Sequence, residues 1–216
     1  MSTHPISLTR RSVLALGLAG VAGCGSPGRR EEPGVTASTQ PSRGRLLLAY
    51  FSRPGENYHY GGRRTLQVGN TQVVAEMIQQ STGCDVYRIT AADPYSDSYD
   101  ATVQRNVREQ DSNARPAIVD QPASLDGYGT VLLGSPIWNV RPPMIMSTFT
   151  EAYDFTGTTV LPLVTYAVSG LGRTVEIYTA SCRGATFGEA LAVRGEEVPD
   201  SRATVDAWLR RVGPIR

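Results

Sequence analysis

The sequence predicts a doubly wound α/β fold, in which a five-stranded, mostly parallel sheet of order 2-1-3-4-5 carries helices on both faces. Three observations lead there. Short continuous apolar runs recur along the chain, as strands covered on both faces require. They alternate with stretches of helical periodicity, and strands alternating with helices call for right-handed crossovers onto a parallel sheet. Glycine and proline punctuate the junctions. In such a sheet the ligand lies outside the carboxyl ends of strands 1, 3 and 4, around the point where the strand order reverses.

Arg45-Leu46-Leu47-Leu48-Ala49-Tyr50-Phe51 supplies a central first strand. From Thr71 onward, Val73, Val74, Met77 and Ile78 share a helical face, and Gly83 stands where a left-handed C-cap belongs. Residues 84–90 carry Val86 and Ile89 in a second strand, and residues 99–113 form a polar, partly amphipathic helix that Pro116 keeps from continuing. The third strand is Thr130-Val131-Leu132-Leu133-Gly134-Ser135. Pro142 opens the next helix, where its missing N–H is no loss, and Met144, Ile145, Thr148, Phe149 and Ala152 supply the buried stripe. Residues 159–165 give the fourth strand, after which Gly170 and Gly172 break the chain before a helix through Tyr178. Residues 187–193 are the fifth strand. Val205, Trp208, Leu209 and Val212 then close the chain on an i, i+3, i+4, i+7 stripe ended by Gly213 and Pro214. Cys84 begins the strand at one sheet edge and Cys182 lies toward the other, too far apart to bond.

The first 43 residues read differently. Thr9-Arg10-Arg11-Ser12-Val13-Leu14 precedes an uncharged run, residues 12–23, far shorter than the roughly 20 apolar residues a membrane span needs. It reads as a signal segment over residues 1–23. The arginine pair resembles a twin-arginine export signal, and Val21-Ala22-Gly23-Cys24 resembles a bacterial lipobox that would leave Cys24 as the acylated anchor. Residues 24–43 are rich in Gly, Pro, Ser and charge and read as a flexible tether, leaving residues 44–216 as the folded domain. The expected location is the outer face of the cytoplasmic membrane, held by the lipid.

Composition removes whole classes of chemistry. All 21 basic residues of the 216-residue chain are arginine, so no step that needs a lysine amine is available. Only two histidines occur, and His4 falls in the signal segment; His59 alone cannot build a histidine-rich metal site, and its place in an insertion suits a surface residue. No metal site is expected. The net charge of +1, with arginines scattered, gives no nucleic-acid footprint.

The predicted site falls on three loops. After strand 1 come Ser52 and Arg53, an insertion, and then Gly69-Asn70-Thr71 at a helix start, where free N–H groups and hydroxyls can hold a phosphate without lysine; the same residues also suit ordinary capping. The third strand empties into Pro136-Ile137-Trp138-Asn139, in which Trp138 either offers a flat face to a planar ligand or plugs the sheet end. The fourth strand ends in Thr165-Tyr166-Ala167-Val168-Ser169-Gly170-Leu171-Gly172, with Tyr166 placed to flank a ring and glycines that permit close backbone approach. No GxGxxG follows strand 1, which speaks against a classical NAD site.

Taken together, the segments Ala49-Tyr50-Phe51-Ser52 with Gly69-Asn70-Thr71, Asp93-Pro94-Tyr95 with Tyr99-Asp100, Glu109-Gln110 with Asn113-Ala114-Arg115-Pro116, Gly134-Ser135-Pro136-Ile137-Trp138, and Tyr153-Asp154-Phe155-Thr156-Gly157 resemble the flavodoxin family, in a branch with a widened phosphate loop. The resemblance covers nearly all of residues 45–212. It implies FMN as cofactor, with phosphate on Ser52, Asn70 and Thr71, and the isoalloxazine between the 136–139 and 165–172 loops. Two features depart from the family: about sixteen residues separate the two halves of the phosphate loop, and the last loop carries Tyr166-Ala167-Val168 instead of a Ser/Gly-rich run. The implied chemistry belongs to the flavin, tuned by a backbone carbonyl within residues 137–139 facing N5. No acid lies between Thr165 and Val175, so a mild, less negative potential is expected than in acidic relatives. Three functions stay open: an electron carrier with an unknown redox partner, an FMN-dependent reductase of quinones or flavins using a nicotinamide donor, and a non-redox lipoprotein with an emptied pocket.

Overall fold

A computed structural model of the protein describes residues 44–213. The signal segment, Cys24 and the tether lie outside the described residues. The main sheet contains β1 (Arg45–Tyr50), β4 (Asp85–Arg88), β5 (Tyr128–Pro136), β6 (Thr159–Tyr166), β7 (Thr186–Phe187) and β8 (Leu191–Arg194). Every pairing in it is parallel, in the order β4-β1-β5-β6-β7, with β8 also on β6. This is the predicted 2-1-3-4-5 arrangement, since β7 and β8 together form the fifth strand.

Alternation along the strands sorts the core into two halves. Leu47, Ala49 and Phe51 of the first strand, with Val131 and Leu133 of β5, point to one face, where Ile145 and Phe149 of α3 (Met144–Glu151) and Tyr178 of α4 (Thr174–Ser181) cover them. Leu48, Tyr50 and Leu132 point to the other face, under Val74 and Ile78 of α1 (Asn70–Thr82) and Val205, Trp208 and Leu209 of α5 (Arg202–Val212). Cys84 and Cys182 belong to opposite halves, and both are free thiols. Helices α1 and α5 both stop at a left-handed glycine, Gly83 (φ 65°) and Gly213 (φ 84°), as the sequence predicts.

Four local readings change. The fifth strand is broken: Val160 faces Phe187 and Leu163 faces Leu191, so the edge carries one extra residue between the two registers. The bulge turns the Glu189 carbonyl to the Trp208 indole N–H (2.9 Å) and its carboxylate to Arg211 (2.7 Å), which ties the edge to α5. Helix α3 begins at Met144 rather than Pro142, because Pro142 precedes a second proline and is held out of the helical region. Its stripe also shifts: Ala152 is exposed, while Met146, Ser147 and Thr150 are buried. Helix α2 spans Tyr99–Asp111, capped by Ser98, and Asn113 lies beyond it at φ 49°.

The insertion after β1 is ordered. Strands β2 (Gly55–His59) and β3 (Gly62–Leu66) pair antiparallel across a two-residue turn, Tyr60 and Gly61, both at positive φ.

Candidate functional site

A cavity of about 380 Å³ opens where the sequence places the site, at the carboxyl ends of β1, β5 and β6. Its walls are built by six segments, and each reaches it for a local reason.

Ser52, Asn70 and Thr71 form one end. The Ser52 hydroxyl accepts the Gln72 N–H at 3.1 Å, and Gly69 is the N-cap of α1 with no side chain of its own to cap the helix. A Cβ at Gly69 would strike the Ser52 hydroxyl and the Arg53 carbonyl, so glycine is what lets the two loop halves close. Thr71 and Thr165 join hydroxyls at 2.7 Å in a buried contact between α1 and the end of β6. The start of α1, with its positive partial charge, thus borders this end of the cavity through Asn70 and Thr71, while the Gln72 and Val73 N–H groups are taken by Ser52 and Gly69.

Arg53 also lines the cavity, with both terminal nitrogens of its guanidinium committed to the backbone. It donates to the carbonyls of Ser96 (2.8 Å), Asp97 (3.2 Å) and Glu56, stapling the hairpin to the segment ahead of α2. Burial lowers its pKa, against Asp97 and Glu56, which raise it; Nε is buried without a partner. Of the other insertion residues, Asn57 and Tyr58 face the cavity. Arg63 instead pairs with Asp100 (2.6 Å) and lies over the Tyr99 ring.

Pro136, Ile137, Trp138 and Asn139 form a third wall. Trp138 lines the cavity and also packs edge to face on Phe51 (5.6 Å) and Tyr95 (5.1 Å), which anchors it at the sheet end. The Trp138 carbonyl accepts from the Gln110 amide (3.2 Å), while the Asn139 amide donates to Gln110 (2.9 Å). The Trp138 carbonyl is thus occupied, while those of Ile137 and Asn139 have no side-chain donor among the described residues. Thr165, Tyr166 and Ala167 complete the fourth segment. Gly69, Ser169, Gly170 and Gly172 do not line the cavity. Gly172 works behind it, at φ 49°, where a Cβ would strike the Val140 carbonyl.

Two contributions escape the sequence reading. Tyr99, Thr102, Val103, Asn106 and Val107 lie on one face of α2 and wall the cavity, with Thr102 and Asn106 buried and both valines exposed. Their i, i+3, i+4, i+7, i+8 spacing is visible in the sequence, but a mixed polar face does not announce what it covers. The second is Glu196, from the 3-10 turn Gly195–Asp200 after β8. Its side chain is 1% exposed, and its Oε1 accepts the Tyr60 N–H at 2.8 Å. Burial alone would raise its pKa; the N–H groups of Tyr60 and Glu196 itself, with Arg194 and His59, outweigh that and hold it below the usual glutamate value. The loop after β6 carries no acid, as read from sequence; folding adds one to the cavity lining from a segment about thirty residues further on.

The flavodoxin family model matches residues 65–212. Among solved structures, two crystal structures titled "putative flavoprotein" align with the chain. That from Bacteroides eggerthii DSM 20697 is 25% identical, with TM-score 0.63 over 78% of this chain and 98% of that one. That from Bacteroides uniformis ATCC 8492 is 28% identical, with TM-score 0.61 over 77% and 98%. A flavoprotein in complex with FMN from Lactobacillus acidophilus NCFM shares the fold at 14% identity, with TM-score 0.52 over 74% and 99%. No curated protein matches the chain.

Proposed function

Since the chain belongs to the flavodoxin family, we propose that its cavity binds FMN and that the protein transfers electrons at the outer face of the cytoplasmic membrane, anchored through Cys24. The observation that carries the reading is the union, in one cavity, of the α1 start with Ser52, Asn70 and Thr71 and an aromatic wall of Tyr58, Tyr99, Trp138 and Tyr166. A phosphate suits the first, a planar ring the second.

The residues fit the group. With Arg53 committed to three carbonyls, the charge at a phosphate would be met by the helix start and by the hydroxyls of Ser52 and Thr71. A Cβ at Gly195 would come within 2.6 Å of the Asn70 amide, so the turn after β8 closes on the same end. FMN when bound supplies the electron chemistry. The chain would hold it with the hairpin on one side, Trp138 fixing the 136–139 loop on Phe51 and Tyr95, and a backbone carbonyl of that loop as the acceptor for a ring N–H.

The export and anchoring rest on Arg10-Arg11 and on Val21-Ala22-Gly23-Cys24. A second reading, a reductase of small molecules, is favoured by Tyr99, Val103 and Val107, an apolar wall beyond the three expected loops. Binding of FMN and of riboflavin to the purified protein tests the cradle: FMN should bind about 100-fold more tightly, roughly 2.7 kcal/mol for the phosphate. Equal affinities would overturn it. Steady-state turnover of a nicotinamide with a quinone would select the reductase.

A further inference from the structure

We propose that a groove centred on Arg141, separate from the flavin cavity, binds the phosphate group of a small-molecule ligand. The groove, about 710 Å³, lies against α3 and α4. Its charges do not balance. Arg115 is paired with Glu151 through two bonds (2.6 and 2.7 Å), and Arg173 with Glu176 (3.0 and 2.5 Å). Asp154 accepts the N–H and hydroxyl of Thr156 on one oxygen (2.9 and 2.7 Å) and keeps its charge, so the lining sets four arginines against three carboxylates. Arg141 and Arg183, which also line the groove, have no carboxylate within 4 Å among the described residues.

Arg141 is the costlier of the two. Its Nε is buried with no hydrogen-bond partner. Burial first, then the like charges of Arg173 and Arg115, press its pKa below the usual guanidinium range. A half-buried cation facing two others is unfavourable by itself, and an anion held among them offsets the cost. The guanidinium fork matches phosphate or carboxylate alike. With four arginines against three carboxylates the groove keeps a net positive charge, which a phosphate held at Arg141 offsets.

The backbone is strained to put Arg141 there. Asn139 (φ 50°) and Val140 (φ 58°) are the central residues of a tight turn closed between Trp138 and Arg141 (Trp138 N–H to Arg141 carbonyl, 2.9 Å), the pattern of a type I′ turn. A β-branched residue at positive φ is rare, and such strain gathers at functional positions. The Val140 carbonyl accepts the Arg173 N–H at 2.8 Å, so one turn sets Trp138 on the cavity and both Arg141 and Arg173 on the groove.

The test is thermal melting of the full chain, with excess FMN present to fill the cavity, in inorganic pyrophosphate at about 10 mM against sodium chloride of equal ionic strength, for wild type, R141Q, R183Q and S52A. A site of about millimolar affinity raises the melting temperature by about 4 °C. That shift is expected in wild type and S52A, lost in R141Q and reduced in R183Q. R141Q without pyrophosphate should melt no lower than wild type, having lost an uncompensated charge; if it melts lower, the exposed R183Q decides. No shift in wild type, an equal shift with chloride, or a shift kept in R141Q would overturn the proposal, as would one lost only in S52A, which would place the anion in the cavity. The groove stands on its own residues: failure of FMN to bind, with the R141Q-dependent shift intact, would sink the flavin reading alone.

Discussion

Glu196 accepts the backbone N–H of Tyr60 at 2.8 Å, fastening the tip of the β2–β3 hairpin to the turn after β8. The base of the hairpin is held by Arg53 on the carbonyls of Ser96 and Asp97, so the insertion is tied down on both sides of the cavity. Because the Glu196 pKa is depressed in the folded state, its contribution is fully present above the ordinary glutamate value of about 4.3 and is lost as pH falls through the depressed one. The difference in melting temperature between wild type and E196Q should be flat from pH 7 to about 5 and shrink at lower pH. A difference that grows in acid would contradict this.

The Thr71–Thr165 hydroxyl pair is buried and spans α1 and β6. T165V leaves the Thr71 hydroxyl unpaired and should cost about 1–2 kcal/mol in denaturant unfolding. The double variant T71V/T165V should recover part of that loss, since both partners become apolar together. Additive losses would show that the pair does not interact.

Val140 bears the left-handed strain of the ring-loop turn. V140G removes strain of about 1–3 kcal/mol and adds roughly 0.5–1 kcal/mol of backbone entropy cost, so a net gain of about 1 kcal/mol is expected. Destabilisation on the same unfolding curve would mean that the exposed valine side chain has a packing role.

Both described cysteines should be inert. Burial pushes the Cys182 thiol up to about 12 and raises that of Cys84, so neither forms thiolate at neutral pH. Alkylation of the native protein, read by peptide mass spectrometry, should leave both unmodified, and denaturation should expose both.

Apolar runs are enough to read the sheet from sequence, because a strand buried on both faces has no other way to be written: Leu47 to Phe51 and Val131 to Leu133 are such runs. The segments that leave β1, β5 and β6 follow from strand order alone, and so Ser52, Asn70, Thr71, Trp138 and Tyr166 come together as expected. What is not legible depends on long-range contacts. The hairpin's turn is Tyr60-Gly61 in a polar stretch, without the alternation that marks a half-buried strand. Glu196 reaches the cavity only because the bulge before Leu191 and the 3-10 turn after Arg194 redirect the chain. Arg53 is in the right place, but whether an arginine holds a ligand or a backbone depends on carbonyls some forty residues away.

The central claim is that this cavity holds FMN, and the visible absorption spectrum of the protein with FMN, followed through stepwise anaerobic reduction, tests it most directly. The account predicts a bound flavin with a perturbed spectrum, reduced in two separable one-electron steps. A flavin spectrum identical to that of free FMN, with nothing retained on the protein, would contradict it.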